Sequence, residues 1–141
     1  MITYRRYPKY KYQLLETATF PTPFRPNSKL ETDFGWLDVD GTVTILPGYA
    51  WDGCSGPTVD TKDSMRAGLI HDFLYGLMRA QLLARTDFNR KQADDLFKKT
   101  LREDGMGAIR AGYWHQAVRM FGESSTHPKQ DNKYKERLVA P

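Results

Sequence analysis

Ala67-Gly68-Leu69-Ile70-His71-Asp72-Phe73-Leu74-Tyr75-Gly76-Leu77-Met78 sets the architecture of this chain. Ala67, Ile70, Leu74, Leu77 and Met78 recur at three- and four-residue steps, the period of an amphipathic helix. The spacing predicts a helix over Thr61 to Leu83, with Asp60 or Thr61 as its cap. The same run carries an adjacent His-Asp pair and a Tyr one turn on, so it places ionisable groups beside a buried face.

Downstream, a second helix is predicted to begin at Asn89, with Gln92 three residues on as its capping-box partner, and to stop near Gly105. A third is predicted from Gly107 to Phe121, with Ile109, Tyr113, Ala117 and Met120 as its inner face. Gly122 ends it, and Glu123 to Pro141 is polar and charged, reading as an irregular tail.

Upstream the composition changes. Tyr12 to Phe20 and Phe34 to Tyr49 are rich in β-branched and aromatic residues, punctuated by Pro and Gly. Asp40-Gly41, with Trp36, Leu37 and Val39 before it and Val43, Ile45 and Leu46 after it, reads as a two-residue hairpin turn. Pro21, Pro23 and Pro26 mark an exposed connection without regular ladder pairing. The expected fold is therefore α+β: an N-terminal antiparallel β portion over residues 12–50, then a three-helix half over residues 60–122. Together they make a single domain, residues 1–122, followed by the tail, residues 123–141.

The 141 residues are enough for one domain with a core of its own. Cys54 is the only cysteine, which excludes an intramolecular disulfide framework and suits a reducing compartment. With no His near it in sequence, Cys54 reads as incidental. The net charge of +4 comes partly from Arg5, Arg6, Lys9 and Lys11 at one end and Lys129, Lys133, Lys135 and Arg137 at the other. Tyr4, Tyr7, Tyr10 and Tyr12 interleave with the first cluster, an arrangement that serves nucleic-acid stacking or anchors the terminus to a sheet; a solvated surface is the reading preferred over nucleic acid. No apolar stretch of membrane-spanning length and no signal-like segment is seen.

Helical phase separates two neighbouring acids. Ala93, Leu96, Phe97, Thr100 and Leu101 define the buried stripe of the second helix. Asp94 lies at its edge, whereas Asp95 points toward Lys98, Lys99 and Arg102 on the solvated side. If the first two helices pack antiparallel, His71 faces Asp94, and Asp72, rotated by about 100°, turns toward the loop Trp51-Asp52-Gly53-Cys54-Ser55-Gly56-Pro57. A buried carboxylate on one imidazole nitrogen fixes the tautomer and leaves the other to take a proton from water. His71 is then the candidate base and Asp94 its orienter. Asp72, the Asp52 side chain and a glycine-loop carbonyl offer hard oxygen ligands suited to Ca²⁺. Each part also has a plainer reading: His71 as a satisfied core histidine, Asp52 as the acceptor of an Asx turn, Tyr75 as a packing residue. His115 and His127 show no partner spacing and are assigned no role.

The run His71-Asp72-Phe73-Leu74-Tyr75 resembles the active-site helix of the phospholipases A2. Asp52 precedes His71 by 19 residues and Asp94 follows it by 23, a layout similar to that of the short bacterial and fungal enzymes of that superfamily. The resemblance implies a calcium role for Asp52, Gly53 and Asp72, a base role for His71, an orienting role for Asp94 and support of the carboxylate by Tyr75. The motif departs from the family at Leu74, where those enzymes usually carry Cys, and the glycine loop is shorter and carries Pro57.

A second resemblance spans more of the chain, about residues 12 to 122. Pro47-Gly48-Tyr49, Asp52-Gly53-Cys54-Ser55, His71 to Tyr75 and Ala93 to Phe97 look like the pattern of the DUF1353 proteins of phages and prophages. It implies a phage or prophage origin, in host cytoplasm or virion. The expected function is a phospholipase A2-like, calcium-assisted hydrolase of an acyl ester. The alternatives are a non-catalytic virion component or host-protein-binding module, and a cell-wall hydrolase. Phospholipid or a membrane surface and other virion proteins are the corresponding partners.

Overall fold

A computed structural model describes residues 2–8, 10–53 and 61–128. Two small antiparallel sheets come first and three helices follow, the expected α+β arrangement. The first sheet has the order β1-β2-β7, from Tyr4–Arg6, Tyr12–Leu14 and Ala50–Trp51; the second has the order β3-β6-β5-β4, from Ala18–Pro21, Thr42–Ile45, Gly35–Leu37 and Leu30–Thr32. The predicted β stretch from Tyr12 to Phe20 is thus divided between two sheets, and β1, β4 and β7 fall outside both predicted regions. Tyr4 and Tyr12 pack edge-on against each other at 5.6 Å between ring centroids, and Tyr12 meets Trp51 at 5.6 Å. These tyrosines tie the N-terminal strand to its sheet.

The hairpin at Asp40-Gly41 is present with a longer loop than expected. Leu37 pairs with Val43, and the Asp38 amide donates to the Thr42 carbonyl at 2.9 Å, so Val39, Asp40 and Gly41 form the loop. Gly41 closes it at φ +91°, where a side chain would be strained and a Cβ would lie 2.5 Å from the Thr22 carbonyl. Asp40 Oδ1 accepts from the Thr42 amide at 2.9 Å, the contact that holds its carboxyl below the usual range. Pro21, read as part of a connection, ends β3 opposite Thr42. β3 is an edge strand, where a missing N–H is tolerated.

The first helix opens with a 3-10 turn at Lys62–Ser64, where Ser64 Oγ accepts from the Thr61 amide at 3.0 Å and donates to the Thr61 carbonyl at 2.8 Å. α1 then runs Met65–Arg79, shorter than the predicted span. Gln81 takes φ 61°, and the Leu82 amide reaches back to the Leu77 carbonyl at 3.0 Å, a left-handed cap that turns the chain toward α2. α2 runs Asp87–Glu103, and its cap is Thr86, whose hydroxyl accepts from the Asn89 amide at 3.1 Å. The predicted start at Asn89 lies inside the first turn. Gly105, at φ +102°, follows its end as expected.

α3 spans Ala108–Phe121, but of its predicted inner face only Ala117 is buried. Ala111, Trp114, Ala117 and Val118 are buried, whereas Ile109 is 93% exposed, Met120 72% and Tyr113 54%. Both phases of this helix are apolar, and packing selects the one with Trp114 stacked on Phe97 at 6.4 Å. Of the predicted tail, residues 129–141 lie outside the described residues, and the part that is described is ordered. Glu123–Thr126 forms a 3-10 turn, Thr126 is fully buried, and Ser125 accepts from Arg79 at 2.6 Å.

One apolar core joins the two halves. Leu14, Phe20, Leu37, Val43, Ile45 and Trp51 from the strands pack with Leu69, Ile70, Phe73, Leu74 and Leu77 from α1. Gly35 permits the closest approach: a Cβ there would sit 2.4 Å from the Thr44 carbonyl and 2.9 Å from the Phe73 ring. A smaller cluster, with Ala67, Phe97, Leu101, Met106 and Trp114, sits among the three helices. α1 is therefore covered by sheet on one side and by helices on the other, and its polar residues are fixed by what each side presents.

Candidate active site

Asp94 is fully buried on α2 and is surrounded by donors from three directions. His71 Nε2 lies 2.7 Å from its Oδ1, Tyr75 Oη donates to the same oxygen at 2.6 Å, and Arg119 Nη1 donates to Oδ2 at 2.8 Å. The spacing on α1 explains the first two, since residues four apart on a helix share a face. His71 is itself 5% exposed and rests between rings, 4.1 Å from Tyr75 and 5.0 Å from Phe97 between centroids.

Burial pushes the Asp94 carboxyl up, but the hydrogen bonds from His71, Tyr75 and Arg119 outweigh it and hold the group below its ordinary value of 3.8. Asp94 is thus an ionised acceptor at neutral pH. An ionised carboxylate only accepts, so the proton of a neutral His71 sits on Nε2 and Nδ1 is left as the basic nitrogen. Burial, and then the charge of Asp94, push the Tyr75 phenol well above its ordinary value of 10.0, and it remains a donor. For Arg119, burial acts downward, and the hydrogen bonds to Asp94 and Asp87 outweigh it.

Asp72 turns toward the sheet, one residue round from His71. Its Oδ2 accepts from the buried Tyr49 hydroxyl, and its backbone carbonyl lies 3.4 Å from Arg79 Nη2. Asp52 follows β7 and lines a cleft with Arg6, Tyr7, Pro8, Tyr10 and Lys11 at the tip of the β1–β2 hairpin. Gly53 adopts φ +83°. Cys54, Ser55, Gly56, Pro57 and Asp60 lie outside the described residues. Among the described residues no group of three or more His, Cys, Asp or Glu side chains is arranged to hold a metal ion. Two carboxylates and a backbone carbonyl are nevertheless the donor chemistry of a hard cation, which takes several oxygens from backbone and water as well. Asp52 lines the cleft beside the β1–β2 tip whereas Asp72 meets the Tyr49 hydroxyl, so the match to Ca²⁺ is one of donor type.

The structure thus brings His71, Asp94 and Tyr75 into one hydrogen-bonded group and places Asp72 beside it. Asp95 is on the solvated side as expected, with different partners: it pairs with Lys91 at 2.7 Å and with His115 at 2.8 Å, not with Lys98, Lys99 or Arg102. His115, given no role from sequence, is its partner. His127 lies 3.3 Å from Glu123.

Sequence reading missed Arg119 and Tyr49. Arg119 is a lone cation in Ala117-Val118-Arg119-Met120-Phe121, and that isolation was its only signal. Tyr49 stood in the Pro47-Gly48-Tyr49 step, one strand away from any charged partner in sequence.

A family model described as protein of unknown function (DUF1353) matches residues 29–118. No curated protein and no solved structure matches the chain.

Proposed function

The chain belongs to the DUF1353 family, and from that premise we propose that it is a phage-encoded hydrolase of the phospholipase A2-like type, using water activated by His71 on an acyl ester. The observation that carries the proposal is the 2.7 Å contact of His71 Nε2 with a fully buried, ionised Asp94 that also holds Tyr75 and Arg119. Such a carboxylate orients an imidazole and stabilises its protonated form.

In this reading His71 Nδ1 removes a proton from water as the oxygen attacks the acyl carbon. The imidazolium, held by Asp94, then delivers that proton to the leaving alkoxide. Tyr75 and Arg119 position Asp94. Asp52, Gly53 and Asp72 would hold Ca²⁺, whose chemistry when bound is polarisation of the acyl carbonyl and stabilisation of the developing oxyanion. Tyr49 orients Asp72 for that role. The basic surface suits an anionic membrane.

A second reading draws on a specific observation, the near-complete burial of His71 between the Tyr75 and Phe97 rings. A satisfied polar network of this kind also specifies helix packing, as a non-catalytic virion component or host-protein-binding module requires.

Calorimetric titration of metal-stripped protein with Ca²⁺, wild type beside Asp72→Asn, separates the two. Saturable binding lost in the variant, with acyl-ester hydrolysis abolished in His71→Ala, is the expected result. No binding at millimolar Ca²⁺ and no hydrolysis of short-chain phospholipid would sink the hydrolase and leave the packing network.

A further inference from the structure

A cleft of about 450 Å³ opens where the first turn of α2 meets the last turn of α3, lined by Arg85, Asp87, Arg90, Arg119, Met120 and Glu123. Its volume falls within the roughly 300–1,000 Å³ of small-ligand sites. Three guanidinium groups converge on it, and each offers five N–H donors in a fixed fork.

The carboxylates at hand use few of those donors well. Arg119 is engaged at normal distances, 2.8 Å to Asp94 and 3.0 Å to Asp87. Arg90 is held inward by a hydrogen bond with the Tyr75 phenol and is engaged only loosely toward the cleft: Nη1 lies 3.5 Å from Asp87, Nη2 lies 3.4 Å from the Arg119 carbonyl, and Nε is buried with no acceptor among the described residues. Arg85 is 3.6 Å from Glu123 and 3.4 Å from His127 Nε2. The side chain of Arg90 is only 11% exposed, so its charge is held in place, whereas Asp87 and Glu123 are 77% and 59% exposed. Exposed carboxylates at such distances neutralise an arginine weakly. A cleft with one fixed, under-satisfied cation and two more at its wall is short of an acceptor.

We propose that the Arg85–Arg90–Arg119 cleft binds a phosphate monoester, carried by a soluble molecule or by a lipid headgroup. The guanidinium fork matches phosphate oxygens two at a time, and a dianion offers Arg85 and the Nη groups of Arg90 nearer acceptors than the exposed carboxylates at 3.5 and 3.6 Å. The exposed Asp87 and Glu123 side chains swing outward to admit it. Met120, 72% exposed, lines the same wall and offers an apolar surface to the remainder of the ligand. Arg119 gives the cleft a second consequence, because the guanidinium that would meet the phosphate also holds the Asp94 carboxylate. The proposal does not depend on hydrolysis, and its readout is binding.

Inorganic phosphate and glycerol 3-phosphate are titrated calorimetrically into wild type, Arg90→Gln and Arg85→Gln, beside co-sedimentation with phosphatidylcholine vesicles with and without phosphatidic acid. The Arg85 side chain is 36% exposed and its polar contacts are with Glu123 and His127 near the surface, so its variant keeps the fold even if Arg90→Gln does not. The expected result is saturable binding weakened roughly tenfold in the variants, the loss of a charge-assisted hydrogen bond. Binding of glycerol 3-phosphate without retention on phosphatidic acid vesicles assigns a soluble ligand. Retention on phosphatidic acid but not on phosphatidylcholine alone, lost in Arg85→Gln, assigns the lipid headgroup. Absence of any phosphate or phosphatidic acid binding, or binding that Arg85→Gln and Arg90→Gln leave unchanged, overturns the proposal.

Discussion

Asp94 and Asp95 are adjacent in sequence and opposite in consequence. Asp94 accepts from a histidine, a tyrosine and an arginine in full burial, while Asp95 pairs with Lys91 and His115 near the surface. Asp94→Asn removes the charge and turns one of the two acceptor oxygens into a donor, so either Arg119 or the His71–Tyr75 pair loses its acceptor, and the change is expected to cost about 3 kcal/mol, the lower end for a broken buried pair. Asp95→Asn is expected to cost less than about 0.5 kcal/mol. Urea titration of the two variants at pH 7 checks the contrast, and equal losses would contradict the geometry. The pH dependence has a definite sign. The folded Asp94 is held below 3.8, so its contribution is complete above that value and is lost as pH falls through the depressed folded value. The stability gap between wild type and Asp94→Asn should therefore stay constant from pH 7 down to about 5 and close only in stronger acid; a gap that closes well above pH 5 would contradict the assignment to Asp94. This pair was legible from helical phase, because Phe97 and Leu101 fix the buried stripe. Arg119 was not, because nothing in a sequence says which buried acid a lone arginine on a third helix will meet.

At the scale of elements, the position of Asp94 depends on where α2 begins. Thr86 caps it and satisfies the Asn89 amide, and the next turn carries Arg90, which packs toward α3. Thr86→Ala is expected to destabilise the protein by about 1 kcal/mol, with hydrogen exchange rising first at residues 87–90. If exchange rises uniformly through α2, the cap does not hold the helix start as described. The sequence pointed to Asn89 with Gln92 as the capping signature, and the pattern has no view of the Gln81 turn that sets the direction of entry at Thr86. α3 shows the same limit from another side. Ile109, Tyr113 and Met120 form as regular a stripe as Ala111, Trp114 and Val118, so periodicity alone cannot choose between them. The choice is made by α2, whose Phe97 accepts Trp114. The hairpin after Leu37 was legible because Asp-Gly signals a turn whatever the loop length, and the length was not, because it depends on how Thr22 packs against Gly41.

In the whole molecule, the strands and the helices share one core, with Phe73 at the contact between them. Its ring meets Tyr49 at 5.7 Å between centroids, and the space against β5 exists because Gly35 has no side chain. Neither sheet exceeds four strands, and small sheets need a packed face for independent stability, so the β portion draws its stability from α1. Phe73→Ala is therefore expected to cost about 3–5 kcal/mol, the range for a buried aromatic truncated to Ala, and to weaken both halves together. Trp51 is fully buried in the first sheet and Trp114 is 3% exposed among the helices, so each reports one side. Variants that keep only Trp51 or only Trp114, followed by fluorescence in urea beside far-ultraviolet circular dichroism, should give coincident transitions in the wild-type background and coincident, shifted ones with Phe73→Ala. A Trp114 transition that stays in place while the Trp51 transition moves would mean that the helices stand without the sheets. The His71–Asp94 group would then be a property of the helical half alone, and the β portion would be free to serve recognition without supporting the site.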